Sequence, residues 1–445
     1  MRFHSAFAQP KRCLRFASLC ALAFLVSGCA SYQPDYDAIY TSSTTENRAR
    51  AWVVPVDADM NALIQQAQSY HPAVQAALAD VESARAELIS AGALMDPEFT
   101  LTQGLNDTGY RTLGLSQEIP VFNRRSMAIE QGQAALRAAQ ARLAQAQAQA
   151  DVAANVVAAF SEYLYVRDSV ALQRELVAIQ EHFVAVVEQQ YAAGSAAMSD
   201  LLRAQNALDE ARSELANLHA AQTSQQARLN GALGRDARVA LPDHFDLEQT
   251  HAEFASLPAE ISDLYQLVQE QNAGLRATQY ELEALQVARD VAGTAGLPRL
   301  MVGMEYMDTD MGDGTIAGMV SVSLPIWRNN YRAQRAAADA NFQGGLARLE
   351  AARLDAQAAL SIALFEWREA ERNRALYGDV LVQRAEQALA SVLAQYTNNN
   401  ATYADVVTSQ QEWLGFSLAY RRALANQLAA LATIQALIVP MHEMD

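Results

Sequence analysis

Apolar and polar positions alternate with period two in four short stretches of the chain. These are Asp96 to Leu105, Arg111 to Val121, Leu297 to Asp308 and Ile316 to Ile326. In the third, Leu300, Val302, Met304 and Tyr306 share one parity, while Arg299, Gly303 and Glu305 take the other. In the fourth, Val320, Val322 and Leu324 alternate with Ser321 and Ser323. Period two is the mark of a strand with one wet and one apolar face. Asn106, Asp107 and Gly109 separate the first two stretches, and Met311-Gly312-Asp313-Gly314 the last two. Such clusters supply turns, so the pattern predicts two β-hairpins.

Elsewhere the pattern is helical. Arg125 to Ala192 holds no proline and one glycine, Gly132, and Asn330 to Tyr396 repeats the composition. Alanine, leucine, glutamine, glutamate and arginine dominate, all strong helix formers. A helix of that length spans about 100 Å, far beyond the usual globular helix, and belongs to a coiled coil or another extended assembly. Each long helix is predicted to end at a short break, Ala193-Gly194-Ser195 or Asn398-Asn399-Asn400. Shorter helices then return, Ser199 to Leu233 and Thr402 to Val439. Helical stretches also precede each hairpin, over 59–92 and 259–293, the first interrupted at His71-Pro72. Proline removes a donor and disfavours helix just before it.

The two halves are one unit repeated. Pro120 and Pro325 lie 205 places apart, as do Phe160 and Phe365, Gln190 and Gln395, Tyr191 and Tyr396, and Asp200 and Asp405. Nearer the start of each half the offset is 201, matching Leu63 with Leu264 and Gln68 with Gln269. The repeats run over 58–234 and 259–438, joined by a linker at 235–258 and followed by a tail at 439–445. The fold class is mixed α and β, mainly α.

The first residues are a targeting segment and stand outside the fold. Lys11, Arg12 and Arg15 precede an almost continuously apolar run from Phe16 to Val26, which closes on Val26-Ser27-Gly28-Cys29. That is a lipoprotein cleavage site, with a signal peptide at 1–28, a lipid on Cys29 and a lipid-anchored segment at 29–57. Ala30 and Ser31 follow the cysteine, with no aspartate directly behind it, as in lipoproteins sent on to the outer membrane. Cys13 and Cys20 leave with the signal, so the remainder has no free thiol, which excludes disulfides and cysteine chemistry. Removing Arg2, Lys11, Arg12 and Arg15 from 33 basic residues, against 50 acidic ones, leaves a net charge of −21. So acidic a chain is a poor nucleic-acid ligand.

Four strands of about ten residues have the length that crosses a bilayer in a tilted barrel. Four cannot enclose a lumen, and open edges are forbidden in lipid. Chains must therefore pool strands. Two copies give eight, whose interior side chains fill, and three give twelve, which leaves a channel. The sequence fixes the multiple of four, and twelve is the number expected.

At this point the chain resembles the TolC family of outer-membrane efflux proteins, over about 58–438. The resemblance rests on the twofold repeat and on the strand-end motifs Ser116-Gln117-Glu118-Ile119-Pro120-Val121-Phe122 and Ser323-Leu324-Pro325-Ile326-Trp327. It rests also on the tip motifs, Tyr191 to Gly194 with Ser199-Asp200-Leu201-Leu202, and Tyr396 with Ala404-Asp405-Val406-Val407. It implies a homotrimer whose transmembrane β-barrel continues into a long α-helical coiled-coil barrel reaching through the periplasm. It implies that the tips at Gly194, Ser195, Asn398, Asn399 and Asn400 dock a periplasmic adaptor, with a proton-driven inner-membrane pump behind it. It implies a passive duct with no cofactor. In the family a tyrosine, an arginine and aspartates hold the periplasmic mouth shut. Tyr396, Asp200 and Asp405 match that pattern, while Ala401 and Thr408 stand where the arginine and a second aspartate are expected. Capping of the returning helices is an equal alternative for the two aspartates. The stretch from Gln117 to Arg125 resembles the heavy-metal cation branch more than the drug branch.

Other chemistry is sparse. Met301, Met304, Met307, Met311 and Met319 crowd the second hairpin. Thioethers bind Cu(I), but methionines spaced by three do not all share a strand face, and the expectation is packing toward lipid. His244 and His251 lie among acids in the linker, which reads as solvated rather than as a metal site. Trp367 and Trp413 are expected to pack on helices, and Trp327 to sit in an interfacial aromatic belt. No phosphate loop, nucleophile elbow or metalloprotease helix occurs. A pore-free periplasmic spacer lipoprotein is the rival from another class; an enzyme has no catalytic grouping to rest on.

Overall fold

The computed structural model describes residues 59–438 apart from 92, 104–109, 121–123, 242–244, 255, 310–311 and 399. The predicted signal, Cys29, the segment to residue 57, Asn399 and the tail lie outside the described residues.

Each repeat has the same order of elements. The first comprises α1 (Met60–Tyr70), α2 (Pro72–Ser90), β1 (Glu98–Gln103), β2 (Tyr110–Ile119), α3 (Arg124–Ala192) and α4 (Met198–Ala232). A short helix, α5 (Leu247–Phe254), lies in the linker. The second repeat comprises α6 (Ile261–Gln271), α7 (Ala273–Thr294), β3 (Leu300–Thr309), β4 (Gly312–Val322), α8 (Arg328–Leu376), a π-helical turn at Tyr377–Leu381, α9 (Val382–Thr397) and α10 (Tyr403–Leu437). Among the described residues no helix is long and apolar enough to cross a membrane.

The His71 break between α1 and α2 is as expected. Its backbone is extended and its ring Nδ1 accepts from the Ala73 amide at 3.2 Å. The second repeat breaks too, at Asn272, where a continuous helix was expected. No proline acts there. Asn272 Oδ1 accepts from the Leu275 amide at 2.8 Å and its Nδ2 donates to the Leu437 carbonyl at 3.0 Å. A side chain that competes for backbone partners caps the new helix and ties the bend to the end of α10.

The expectation of one unbroken helix from Asn330 to Tyr396 is also corrected. The π turn interrupts it where Gly378 meets Tyr420 of α10; a Cβ on Gly378 would stand 2.5 Å from that ring. Single π turns of this kind open a helix at one point. The linker, expected to be solvated, is docked. Phe245 meets Phe160 edge to face at 4.7 Å, and Arg167 donates to the Phe245 carbonyl. Glu248 pairs with Arg421 at 2.6 Å, and His251 bonds Gln427 at 2.6 Å. Burial holds the His251 ring below the usual imidazole range, partly offset by the Gln427 bond. An aromatic anchor and two polar ties over α3 and α10 outweigh the solvation of a few acids.

The four strands form one antiparallel sheet in the order β1-β2-β3-β4, so the two hairpins join through β2 and β3. Direct cross-strand partners share a face. Leu101, Leu113, Tyr306 and Ile316 stand in one row, and Leu115 and Met304 in the next. Thr102, Thr112, Met307 and Thr315 stand in a row on the opposite face. One face is therefore mainly apolar yet exposed, including Phe99, Leu115, Ile316, Val320 and Val322, with Gln103, Arg111 and Asp308 in one row at its tip end and Gln117 near the other. The other is mostly Thr, Ser, Gly and Glu. Strands β1 and β4 are free edges within the chain.

Candidate functional site: the hairpin tips and the sheet

At the far end of the long helices both repeats turn back on themselves. The α3 end is a left-handed glycine cap. Gly194 has φ +73°, the Ser195 amide donates to the Gln190 carbonyl at 2.8 Å, and Gly194 to Tyr191 at 3.0 Å. Gly194 is suited to this conformation because it lacks a Cβ. The second tip repeats the longer bond 205 places on, from the Asn400 amide to the Gln395 carbonyl at 2.8 Å. Asn398 Nδ2 donates to the Ala394 carbonyl at 2.8 Å.

Behind the tips the repeats share one small core of Phe183, Val187, Leu201, Ala204, Tyr396, Tyr403 and Val406. The Phe183 ring lies 5.5 Å from that of Tyr396 and 6.1 Å from that of Tyr403. Burial raises the Tyr396 hydroxyl above its usual range, and the nearby Asp200 charge adds to the effect. Tyr403 is pushed up to about 12, by burial and then by Tyr396. Both phenols therefore act as donors at neutral pH. Tyr396 donates to Gln190 Oε1 at 3.3 Å, and Tyr403 to Gln180 Oε1 at 3.2 Å. Gln180 in turn donates to Gln410 Oε1 at 2.7 Å, a buried amide pair linking α3 to α10.

The predicted gate residues thus come to one end, in different roles. Asp405 forms a reciprocal capping box with Thr402, accepting from its amide at 2.8 Å and its hydroxyl at 2.7 Å. The Thr402 hydroxyl, then its amide, hold the Asp405 carboxyl below the usual range. Asp200 makes no such cap; it stands 3.9 Å from Arg203, one turn on. Ala401 packs against the tip core, and Thr408 donates back to the Ala404 carbonyl at 2.9 Å. Sequence reasoning missed Phe183, Gln180 and Tyr403, and saw Gln410 only as the repeat partner of Gln205. A glutamine within so glutamine-rich a helix carries no mark of burial. The matched pair Gln190 and Gln395 was visible, but not the bond from Tyr396.

At the sheet end the parity settles the methionines. Met304 lies on the apolar face, but Met301, Met307 and Met319 lie on the polar one, with Glu118, Gly303 and Glu305. Packing toward lipid was expected of the group; Met301, Met307 and Met319 share the face of the polar residues, and Met311 lies outside the described residues. Strand parity overrides side-chain hydrophobicity. Among the described residues no group of three or more His, Cys, Asp or Glu could hold a metal ion. Trp413 is buried and Trp367 partly so, as expected of packing residues, and Trp327 is exposed.

Residues 63–235 match the family model described as outer membrane efflux protein. No curated protein matches the sequence. The fold is shared with solved structures. The outer membrane protein VceC from Vibrio cholerae aligns at TM-score 0.72 and 18% identity, over 86% of this chain and 97% of that one. The open-state MtrE outer membrane channel of Neisseria gonorrhoeae aligns at 0.72 and 16%, over 87% and 90%. The CmeC outer membrane channel of Campylobacter jejuni aligns at 0.71 and 13%, over 85% of each chain.

Proposed function

We propose that this chain, whose residues 63–235 belong to the outer membrane efflux protein family and whose described residues carry the TolC-type fold, forms the trimeric outer-membrane channel of a tripartite efflux system. It conducts small solutes passively. The observation that carries the reading is the sheet, whose exposed apolar face and two free edges are unstable in water and in lipid alike unless copies join. Three copies of four strands close a twelve-stranded barrel with the apolar face toward lipid and the polar face toward a lumen.

The repeat supplies a second support. Helix α3 packs against α2 and α4 of its own repeat and against α7 and α10 of the other. Helix α8 packs chiefly against α7 and α10 of its own repeat. Its missing neighbours, by the repeat, are α2 and α4 of the next copy. The free edge of β4 calls for β1 of that same copy, so helices and strands ask for one direction of assembly.

In this reading Cys29 carries lipid and adds a second membrane signal to the barrel. The tips at Gly194, Ser195, Asn398, Asn399 and Asn400 meet a periplasmic adaptor, behind which stands an inner-membrane pump. Asp200, Asp405 and Tyr396 ring the periplasmic mouth. The exported solutes include cations, in keeping with the acidic chain and the strand-end resemblance.

Val320→Arg with Val322→Arg tests the barrel, since a lipid-facing cation costs about 2–4 kcal/mol at mid-bilayer. Native gels of outer-membrane extracts should lose the trimer. A normal trimer with both arginines would overturn the barrel. In the same membranes a palmitate analogue should label the wild type and leave Cys29→Ser unlabelled; equal labelling would refute the anchor. Gly194→Pro should abolish efflux-dependent resistance at normal trimer yield, and unchanged resistance would remove this tip from the docking surface.

A further inference from the structure

The polar face of the sheet holds three methionines where no other aliphatic side chain larger than alanine stands. Among the described residues of that face there is no leucine, isoleucine, valine or phenylalanine. A face selected for hydrophobic filling draws on those four as readily as on methionine, so the shared property is the thioether. Met307 is 40% and Met319 42% exposed, in an otherwise wet wall.

The register brings two of them together. Met319 stands directly across from Gly303, and Met301, two places from Gly303 on the same strand, pairs with Ser321, two places from Met319. The two are therefore diagonal neighbours on one face. Such positions lie about 7–8 Å apart at the backbone, within reach of long side chains. Gly303 puts no side chain between them. Its own Cβ would come within 2.9 Å of the Leu115 carbonyl oxygen. Met301 also faces Glu118 across β2, and Glu305 lies one row beyond Met319. Carboxylates thus flank the sulfurs.

We propose that Met301 and Met319 form a weak coordination site for soft monovalent metal cations, Ag(I) or Cu(I), on the lumen wall, with Met307 a further contact toward the other end of β3. The inference rests on the channel reading, which turns this face toward the lumen. Thioether sulfur donates a lone pair to a soft cation, with no change of oxidation state and no bond broken. The neighbouring carboxylates draw cations in but are hard ligands. Threefold symmetry repeats the site around the wall. Several weak sites are what conduction needs, since a cation must both enter and leave.

The test uses the purified full chain in planar bilayers bathed in potassium nitrate, with silver nitrate added on one side. The wild type should show reversible, flickering block by micromolar silver. Met301→Leu with Met319→Leu keeps side-chain volume and removes both sulfurs. It should leave potassium nitrate conductance unchanged and raise the silver concentration for half-block by about tenfold or more, equivalent to about 1.4 kcal/mol. Block by magnesium should be the same in both proteins. Equal silver block in variant and wild type, or none in the wild type, would overturn the site while leaving the channel intact. A chain that conducts no potassium nitrate would overturn the channel reading, and this inference with it.

Discussion

Helices α3 and α8 descend from one repeated sequence yet live in different surroundings. Phe160 in α3 is 1% exposed, packed edge to face on Phe245 of the linker; its counterpart Phe365 in α8 is 60% exposed. Val157 is 7% exposed and its counterpart Ile362 60%. Leu354, Ile362, Phe365 and Leu376 fall on one flank of α8 at helical spacing, all exposed. A repeat that keeps the same apolar residue at both places while the fold covers only one has kept it for a partner outside the chain. The sheet says the same. Strand β2 of the first repeat is paired on its outer side by β3, and its counterpart β4 is bare.

The comparison makes unequal predictions for equal substitutions. Phe160→Ala should cost the protomer about 3–5 kcal/mol, the usual loss for a buried phenylalanine, and folded yield should collapse. Phe365→Ala should change protomer stability by less than about 0.5 kcal/mol. It should instead make detergent-extracted trimers fall apart on dilution into folded single chains. Similar folding losses from both, with association unchanged, would mean that the bare flank of α8 is not an interface.

The tips offer a smaller contrast. Asp405 is held in a capping box and Asp200, its counterpart, is not. Thr402→Ala should cost about 1 kcal/mol of local helix stability, seen as faster amide exchange at the start of α10, with the block of the channel by multivalent cations unchanged. Asp405→Ala should speed exchange and also weaken that block. Block unaltered by Asp405→Ala would leave the residue a cap alone. Acid should act through the same bond. Because folding lowers the Asp405 pKa, its stabilisation is whole above the ordinary carboxylate range and is lost as pH falls through the lowered value. Exchange at the tip should therefore quicken only in strongly acidic solution, and a tip that loosens near neutrality would point to another group.

Much of this was legible in the sequence. Helix length, both hairpins, the repeat and the glycine at the first tip follow from local preferences that tertiary context did not override. The break at Asn272 was within reach, since it lies 201 places after His71, but asparagine is a weaker breaker than proline. That the hairpin methionines do not all share one strand face was legible from their spacing; that Met301, Met307 and Met319 join the polar residues needed the register. Three features had no local trace. The π turn exists because Tyr420, on another helix, packs against Gly378. The linker is docked because Phe160 needs Phe245. The bond from Gln180 to Gln410 joins residues 230 places apart. Each depends on contacts that sequence pattern does not encode.

The central claim is that the bare edge of one copy meets the other edge of the next. The repeat fixes the register. Ser116 lies across from Gly303 where β2 meets β3. Ser116 corresponds to Ser321 by the offset of 205, and since Ser116 pairs with Glu98 and Ser321 with Met301, β3 follows β1 by 203 places and Gly303 corresponds to Thr100. Ser321 of one copy should therefore face Thr100 of its neighbour. Within one chain β1 and β4 are opposite edges of the sheet and cannot be bridged. The chain carrying Thr100→Cys with Ser321→Cys, oxidised in the membrane and run on a non-reducing denaturing gel, should give a covalent ladder ending at three copies, while each single variant stays monomeric. A ladder ending at two copies, or no cross-link from properly inserted protein, would contradict the account.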